Sequence, residues 1–235
     1  MGQEPGVERW PNHQSLIHSS MAPITTVGID VGGARKGFHA VALTNGSYAD
    51  QLATADVDAI HHWCLNVIKA QLIAIDAPSR WSSNGRMRAC ERELMQRGIH
   101  CFASPSREQA LHHPSDYYGW MLRGEVLYQA LEPTHPVCTA LPVAGEHCCI
   151  ETFPHAITWH LRGGNAQAGQ KRSQRRALLK QVGIDLATLS SIDLVDAALC
   201  AFTAQLAATG ADCSVYGQPT EGIIVVPAGG LGLPV

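Results

Sequence analysis

Residues 27–33, VGIDVGG, place a carboxylate at the end of a short apolar run and follow it with two glycines. The β-branched residues within 24–30 predict a strand that ends at Asp30. An acid in this position often belongs to a plain turn. It can also bind a metal ion, and glycines beside it leave room for a phosphate close to the backbone. Both interpretations of Asp30 remain open at this point.

The composition is that of a globular protein, because 46% of the 235 residues are hydrophobic and 16% are charged. The formal net charge of −3 gives the whole chain no basic excess, although a local basic patch remains compatible with nucleic-acid binding. Eight scattered cysteines without a CxxC pair disfavour a zinc ribbon and predict reduced thiols in a cytoplasmic protein. We expect a flexible, signal-free tail over 1–23, one domain over 24–227 and a short tail over 228–235, with no membrane span.

The predicted elements describe an α/β domain with a mixed sheet. Asn45-Gly46, a strong hairpin signal, joins two predicted strands within 36–54. Residues 56–70 carry apolar side chains at helical spacing, and the apolar run 71–76 is typical of a buried parallel strand. Further strands are predicted within 148–154 and 221–227, and further helices over 85–98, 119–131, 171–183 and 190–210. Residues 104–118 and 132–147 are predicted loops. This order predicts one sheet covered by helices.

Three acids share one context, since Asp30, Asp76 and Glu151 each end a short apolar run and precede a glycine or a proline region. In open α/β sheets, functional sites gather where strands end. Three converging carboxylates repel one another unless a cation or a proton lies between them. Hard oxygen ligands favour Mg²⁺ or Mn²⁺. Taken singly, each acid could instead be a turn residue or a helix cap.

A fourth acid comes from the helix predicted over 190–210. Asp193 and Asp196 are three residues apart, so they lie on one face of its first turns. Complementing the helix dipole explains one of them. Asp196 is surrounded by small and apolar residues, which would let this turn pack tightly on the sheet and bring its carboxylate to the strand ends.

Four stretches together resemble a known family: GIDVGGARKGFHAVAL (28–43), IAIDAPSR (73–80), IETFPHA (150–156) and DLVDAALCAFTA (193–204). They are similar to domain of unknown function 429, a predicted RNase H-like nuclease family. The resemblance implies an RNase H-like fold, in which three antiparallel strands precede two parallel strands and a helix near the end carries an active-site acid.

The resemblance also implies roles for these acids. Asp30 would be the acid of the first strand, Asp76 that of the fourth and Glu151 that of the fifth, and Asp196, with Asp193 as its rival, would be the helix acid. The implied activity is hydrolysis of RNA or DNA by a two-metal mechanism with Mg²⁺ or Mn²⁺. All of these acids would then be catalytic as direct or water-mediated metal ligands.

Basic residues supply candidate phosphate contacts. Lys171 and Arg175 begin a basic helix and best match the positions where the family tends to carry a lysine and an arginine; a solvated helix face is the alternative. Arg80 follows Asp76 closely, within a group that also contains Arg86, Arg88 and Arg92, and its alternative role is a salt bridge that relieves the carboxylates. Gly32 and Gly33 would leave room for a phosphate.

Two other functions fit parts of the sequence. One is an ATP-binding phosphotransferase of the actin-like and sugar-kinase group, which also begins with an acid followed by glycines but needs two lobes. The other is a non-catalytic nucleic-acid-binding module whose acids hold a structural ion. Zinc is disfavoured, because His61-His62 and His112-His113 are adjacent pairs and no HxxxH spacing occurs.

Overall fold

The computed structural model describes residues 23–141, 143, 145 and 147–230, and almost all of the predicted N-terminal tail and residues 231–235 lie outside this part. The described residues contain one sheet. Its strands are β1 (Thr25–Val31), β2 (Phe38–Thr44), β3 (Ser47–Thr54), β4 (Leu72–Asp76), β5 (Cys148–Glu151), β6 (Cys213–Gln218) and β7 (Gly222–Pro227).

The strand order is β3-β2-β1-β4-β5-β7-β6. β1, β2 and β3 are antiparallel neighbours, and β4 and β5 follow β1 in parallel, as expected. The sheet then continues beyond the expected pattern, because β7 is parallel to β5 and β6 is antiparallel to β7. β6 was not predicted: it is a largely half-exposed edge strand that contains Gly217, so its own residues give little strand signal, and pairing with β7 forms it.

Helices cover both faces of the sheet. They are α1 (Val57–His62), α2 (Ala89–Gln96), α3 (Arg107–Leu111), α4 (Gly119–Leu131), α5 (Pro154–Leu161), α6 (Lys171–Gln181) and α7 (Ile192–Ala208). The helix predicted over 56–70 changes into a π-helix at Trp63–Val67. In the described part of the chain, no helix combines the length and the apolar character needed to cross a bilayer.

One helix lies where none was predicted, and another begins where the strand within 148–154 was expected to continue. α3 begins inside the expected loop 104–118, because Ser106 and Gln109 form a capping box there. α5 begins at Pro154, which occupies the first helical turn, where a missing N–H costs no hydrogen bond. The predicted strand therefore ends at Glu151, and the proline that follows it starts a helix.

α7 packs against β1 with backbone directly against backbone. A Cβ atom on Gly28 would overlap backbone atoms of Ala197 and Ala201, so the two backbones touch. Thr26 strengthens the contact, since its Oγ1 donates a hydrogen bond of 3.2 Å to the carbonyl of Ala201. As expected from the small residues around Asp196, the first turns of α7 lie directly on the sheet.

Candidate carboxylate site

Asp30 and Asp76 form the centre of the site. They are register partners on the adjacent parallel strands β1 and β4, so their side chains leave the same face of the sheet, about 4.8 Å apart in the strand-to-strand direction. Both residues are half-buried at the carboxyl ends of their strands. Among the described residues, neither carboxylate has a hydrogen bond or an ion pair. They are therefore two neighbouring acids that the protein leaves without a partner.

α7 adds two acids on the same face, and each is paired with a basic side chain. Asp196 is buried, and Arg175 Nη1 of α6 lies 2.5 Å from its Oδ1. Asp193 lies closer to solvent, and its Oδ1 accepts a hydrogen bond of 2.8 Å from Lys36 Nζ. Asp196 is the inner acid of the two, because its charge acts on both Asp30 and Asp76.

The electrostatics of this group favour added positive charge. Burial, followed by the charges of Asp196 and Asp193, raises the pKa of Asp30 to about 7. Burial, followed by the charges of Asp30 and Asp196, raises the pKa of Asp76 well above its usual range. Burial also raises the pKa of Asp196, while Arg175 opposes that shift. We name Asp30, Asp76, Asp193 and Asp196 the carboxylate group.

The structure does not bring Glu151 into the carboxylate group. Glu151 is the register partner of Ile75, one residue before Asp76, so its side chain leaves the opposite face of the sheet. Arg88 there binds both of its oxygens, at 2.6 and 2.9 Å. The backbone N–H and Oγ of Ser79 donate to Glu151 Oε2 at 2.7 and 2.8 Å. Glu151 thus anchors the segment that follows Asp76.

The sequence places Arg88 among four arginines that follow Asp76, and Arg80 is the one for which a salt bridge to the carboxylates is expected. The structure gives the salt bridge to Arg88, which is fully buried and also holds Glu91 through its Nε at 2.8 Å. The buried guanidinium of Arg88 lies between two glutamates. Glu151 is 63 residues away in the sequence, and Glu91 is 3 residues away. The i,i+3 spacing of Arg88 and Glu91 is the feature of the sequence that could have indicated an ion pair at Arg88.

The two glycines after Asp30 have different surroundings. A Cβ atom on Gly32 would lie 2.5 Å from Lys36 Cβ, and its N–H donates to the carbonyl of Gly37 at 2.8 Å. Gly32 therefore serves the turn between β1 and β2. At Gly33 an added Cβ would lie 3.8 Å from Asp116 Oδ2, which is ordinary van der Waals contact, so no close neighbour requires a glycine at this position.

The predicted phosphate-binding side chains differ in their exposure to solvent. Lys171 and Arg80 are exposed, as a contact with a large anion requires. Arg175 is buried and paired with Asp196, so its charge serves the carboxylate group. The helix α6 thus presents Lys171 outward and uses Arg175 inward.

The carboxylate group fits a small divalent cation only in part. Across the described residues, no set of three or more His, Cys, Asp or Glu side chains is arranged to hold a metal ion. Asp30 and Asp76 alone supply two unpartnered hard oxygen ligands on one face. This number suits Mg²⁺ or Mn²⁺, which bind proteins through one or two carboxylates and keep water or substrate oxygens.

Comparison with known families identifies the chain. The family model described as protein of unknown function (DUF429) matches residues 28–221, and the chain belongs to this family. The match covers every acid of the carboxylate group. Searches of curated proteins and of solved structures returned no significant match.

Proposed function

We propose that the protein is a divalent-metal-dependent phosphodiester hydrolase of RNase H-like fold that acts on nucleic acid. The supporting observation is the register pairing of Asp30 and Asp76 on parallel strands, both half-buried and without a partner among the described residues. The strand order β3-β2-β1-β4-β5, with α7 laid across β1, supports the fold part of the proposal. The further strands β7 and β6 are an addition to that pattern.

Asp30 and Asp76 would hold Mg²⁺ or Mn²⁺, and the bound ion would supply an activated water and neutralise the phosphate charge. The chain itself does the rest. Arg175 pairs with Asp196 beside the two central acids, and Lys36 holds Asp193 at the rim. A second ion, as in a two-metal mechanism, would need Asp196 to leave Arg175, because Glu151 is committed to Arg88.

Exposed cations would attract the substrate. Lys171 lies on α6 and Arg80 on the loop after Asp76, and both side chains are exposed to solvent. Phosphate contacts of this kind hold a nucleic acid without reading its sequence. All seven strands in the described residues belong to one sheet, which supports a hydrolase over the two-lobed phosphotransferase.

The test is calorimetric titration with Mn²⁺, followed by a hydrolysis assay on single-stranded and duplex RNA and DNA. We expect wild type to bind Mn²⁺ and cleave, and Asp30→Asn and Asp76→Asn to lose both properties while remaining folded. Asp58→Asn, which changes an exposed acid on α1, is the matched control. Mn²⁺ binding that is equal in Asp76→Asn and wild type would refute the metal site.

A further inference from the structure

Five ring side chains form a cluster between the end of α2 and the start of α4, and two of them are exposed. They are Phe102, His113, Tyr117, Tyr118 and Trp120, and we name them the aromatic surface. Phe102 is 60% exposed and Tyr117 is 52% exposed, whereas most large apolar side chains of the described residues are buried. Open aromatic rings in a cluster mark a binding surface more often than isolated ones do.

The five rings pack against one another, while Phe102 and Tyr117 remain exposed to solvent. Phe102 meets Tyr117 and Trp120 edge to face, with ring centroids 6.3 and 6.2 Å apart. Tyr117 and Tyr118 are closer, at 4.8 Å, and His113 contacts both tyrosines. All of these contacts except the tilted His113–Tyr117 contact are edge to face, so they fix ring orientation without using all of the flat surfaces. The aromatic surface is thus arranged before any ligand arrives.

Two contacts place the aromatic surface beside the carboxylate group. Asp116, directly before Tyr117, lies next to Gly33 on the loop that follows Asp30, since its Oδ2 is 3.8 Å from the Cβ position of that glycine. On the other side, α4 packs against the residue after Asp76: Tyr128 donates to the carbonyl of Ala77 at 3.1 Å.

Trp120 is close to the same point. A Cβ atom on Gly124 would lie 2.6 Å from the Ala77 Cβ, so α4 lies directly against the residue that follows β4. Trp120 precedes Gly124 by four residues, which is about 6 Å along a helix. Trp120 is therefore about one helical turn from the residue next to Asp76.

Exposed positive charge follows both central acids along the chain. Arg35 and Arg80 are exposed and follow Asp30 and Asp76 on their respective loops. Cations that track a backbone, together with rings on which bases stack, are the two components of sites for single-stranded nucleic acid. A duplex would offer phosphates to the arginines but no free base faces to the rings.

We propose that the aromatic surface stacks the unpaired bases of single-stranded nucleic acid, and so makes the single strand the substrate of the carboxylate group. This inference rests on the proposed function for its second part and on the ring geometry for its first. Phe102 and Tyr117 receive the bases, and Arg35 and Arg80 contact the phosphates on the way to Asp30 and Asp76.

The test measures binding apart from hydrolysis, by fluorescence anisotropy of a labelled oligo(dT) with EDTA present. Stacking contributes enough that Phe102→Ala and Tyr117→Ala should each raise Kd about 5-fold to 100-fold. Tyr117→Phe keeps the ring and should bind as wild type does. Val215→Ala, an exposed apolar change on β6, is the control for general loss of surface.

A matched abasic strand separates bases from phosphates. Wild type should bind it as weakly as the alanine variants bind oligo(dT), and those variants should show no further loss. Equal wild-type affinity for the abasic strand and oligo(dT), or unchanged Kd in both alanine variants, would overturn the proposal and leave the rings as a docking patch for a protein. Ring-dependent binding without any Mn²⁺-dependent cleavage would retain this surface and reject the hydrolase instead.

Discussion

Arg175 Nη1 lies 2.5 Å from Asp196 Oδ1, and both side chains are more than nine-tenths buried. Through this pair α6 neutralises a member of the carboxylate group from inside the protein. Removing one partner of a buried pair leaves the other charge uncompensated, which is far more costly than losing an exposed pair.

We therefore expect Arg175→Met to lower the free energy of unfolding by about 3–5 kcal/mol at neutral pH. The loss should shrink in acid, where Asp196 can take a proton. Urea unfolding at several pH values would measure it. The double variant Arg175→Met with Asp196→Asn removes both charges and should recover most of the loss; a double variant as unstable as the single one would mean that Arg175 acts by packing alone.

The pKa of Asp30 predicts a second result. Because folding raises this pKa from its ordinary value to about 7, the folded state binds the extra proton more tightly than the unfolded chain. Stability from this source is complete in acid below the unfolded pKa and is lost as the pH rises through about 7. Asp30 is half-buried, so solvent screens part of the effect.

Asp30→Asn should thus stabilise the metal-free protein by about 1–2 kcal/mol at alkaline pH, or by roughly 3–6 °C in Tm, and by nothing in strong acid. Thermal melts in EDTA across this pH range would test it, with Asp58→Asn as the control. A variant that is less stable than wild type at every pH would contradict the picture of mutual repulsion.

Glu151 gives a contrasting prediction. Glu151→Gln leaves Arg88 buried without its full countercharge, so we expect a loss of about 3–5 kcal/mol in stability. Mn²⁺ affinity of the folded variant should change far less than in Asp76→Asn, because Glu151 lies on the other face of the sheet and acts on Asp76 only through its charge. Calorimetry at low temperature measures the affinity, and Glu108→Gln, an exposed change on α3, is the matched control. Abolished Mn²⁺ binding in a folded Glu151→Gln protein would return this acid to the site.

Lys171 should report on phosphate contact. Lys171→Gln should reduce the slope of log K against log salt for single-stranded nucleic acid by about 0.7, the value for one lost contact. Lys180→Gln removes an exposed lysine at the far end of the same helix and should leave the slope unchanged. A salt series of anisotropy titrations would compare the two. Identical slopes for both variants and wild type would make α6 a bystander.

Local patterns in the sequence were sufficient for the part of the fold that contains the site. The β-branched run before Asp30 and the apolar run before Asp76 predicted two strands that do pair in parallel, with both acids on one face. The small residues around Asp196 predicted its approach to the sheet, and Gly28 on the opposing strand completes that contact.

The face on which an acid lies could not be read in the same way. Glu151 also ends an apolar strand, but the β4–β5 register aligns it with Ile75, and a one-residue offset reverses the face. Register depends on pairing between strands that are distant in the sequence. For the same reason, Arg88 could not be predicted as the partner of Glu151. The strand β6 could not be predicted either, because it forms by pairing with β7.

The backbone contact between α7 and β1 has one more consequence, which concerns the size of the cation. With no side chain at Gly28 to yield, the spacing between α7 and the sheet face that carries Asp30 and Asp76 is fixed by backbone against backbone. A rigid site with few ligands suits a small ion that keeps its waters and cannot expand to the six to eight ligands that Ca²⁺ takes. The carboxylate group should therefore discriminate by radius, binding Mn²⁺ in a calorimeter even when Ca²⁺ is present in excess.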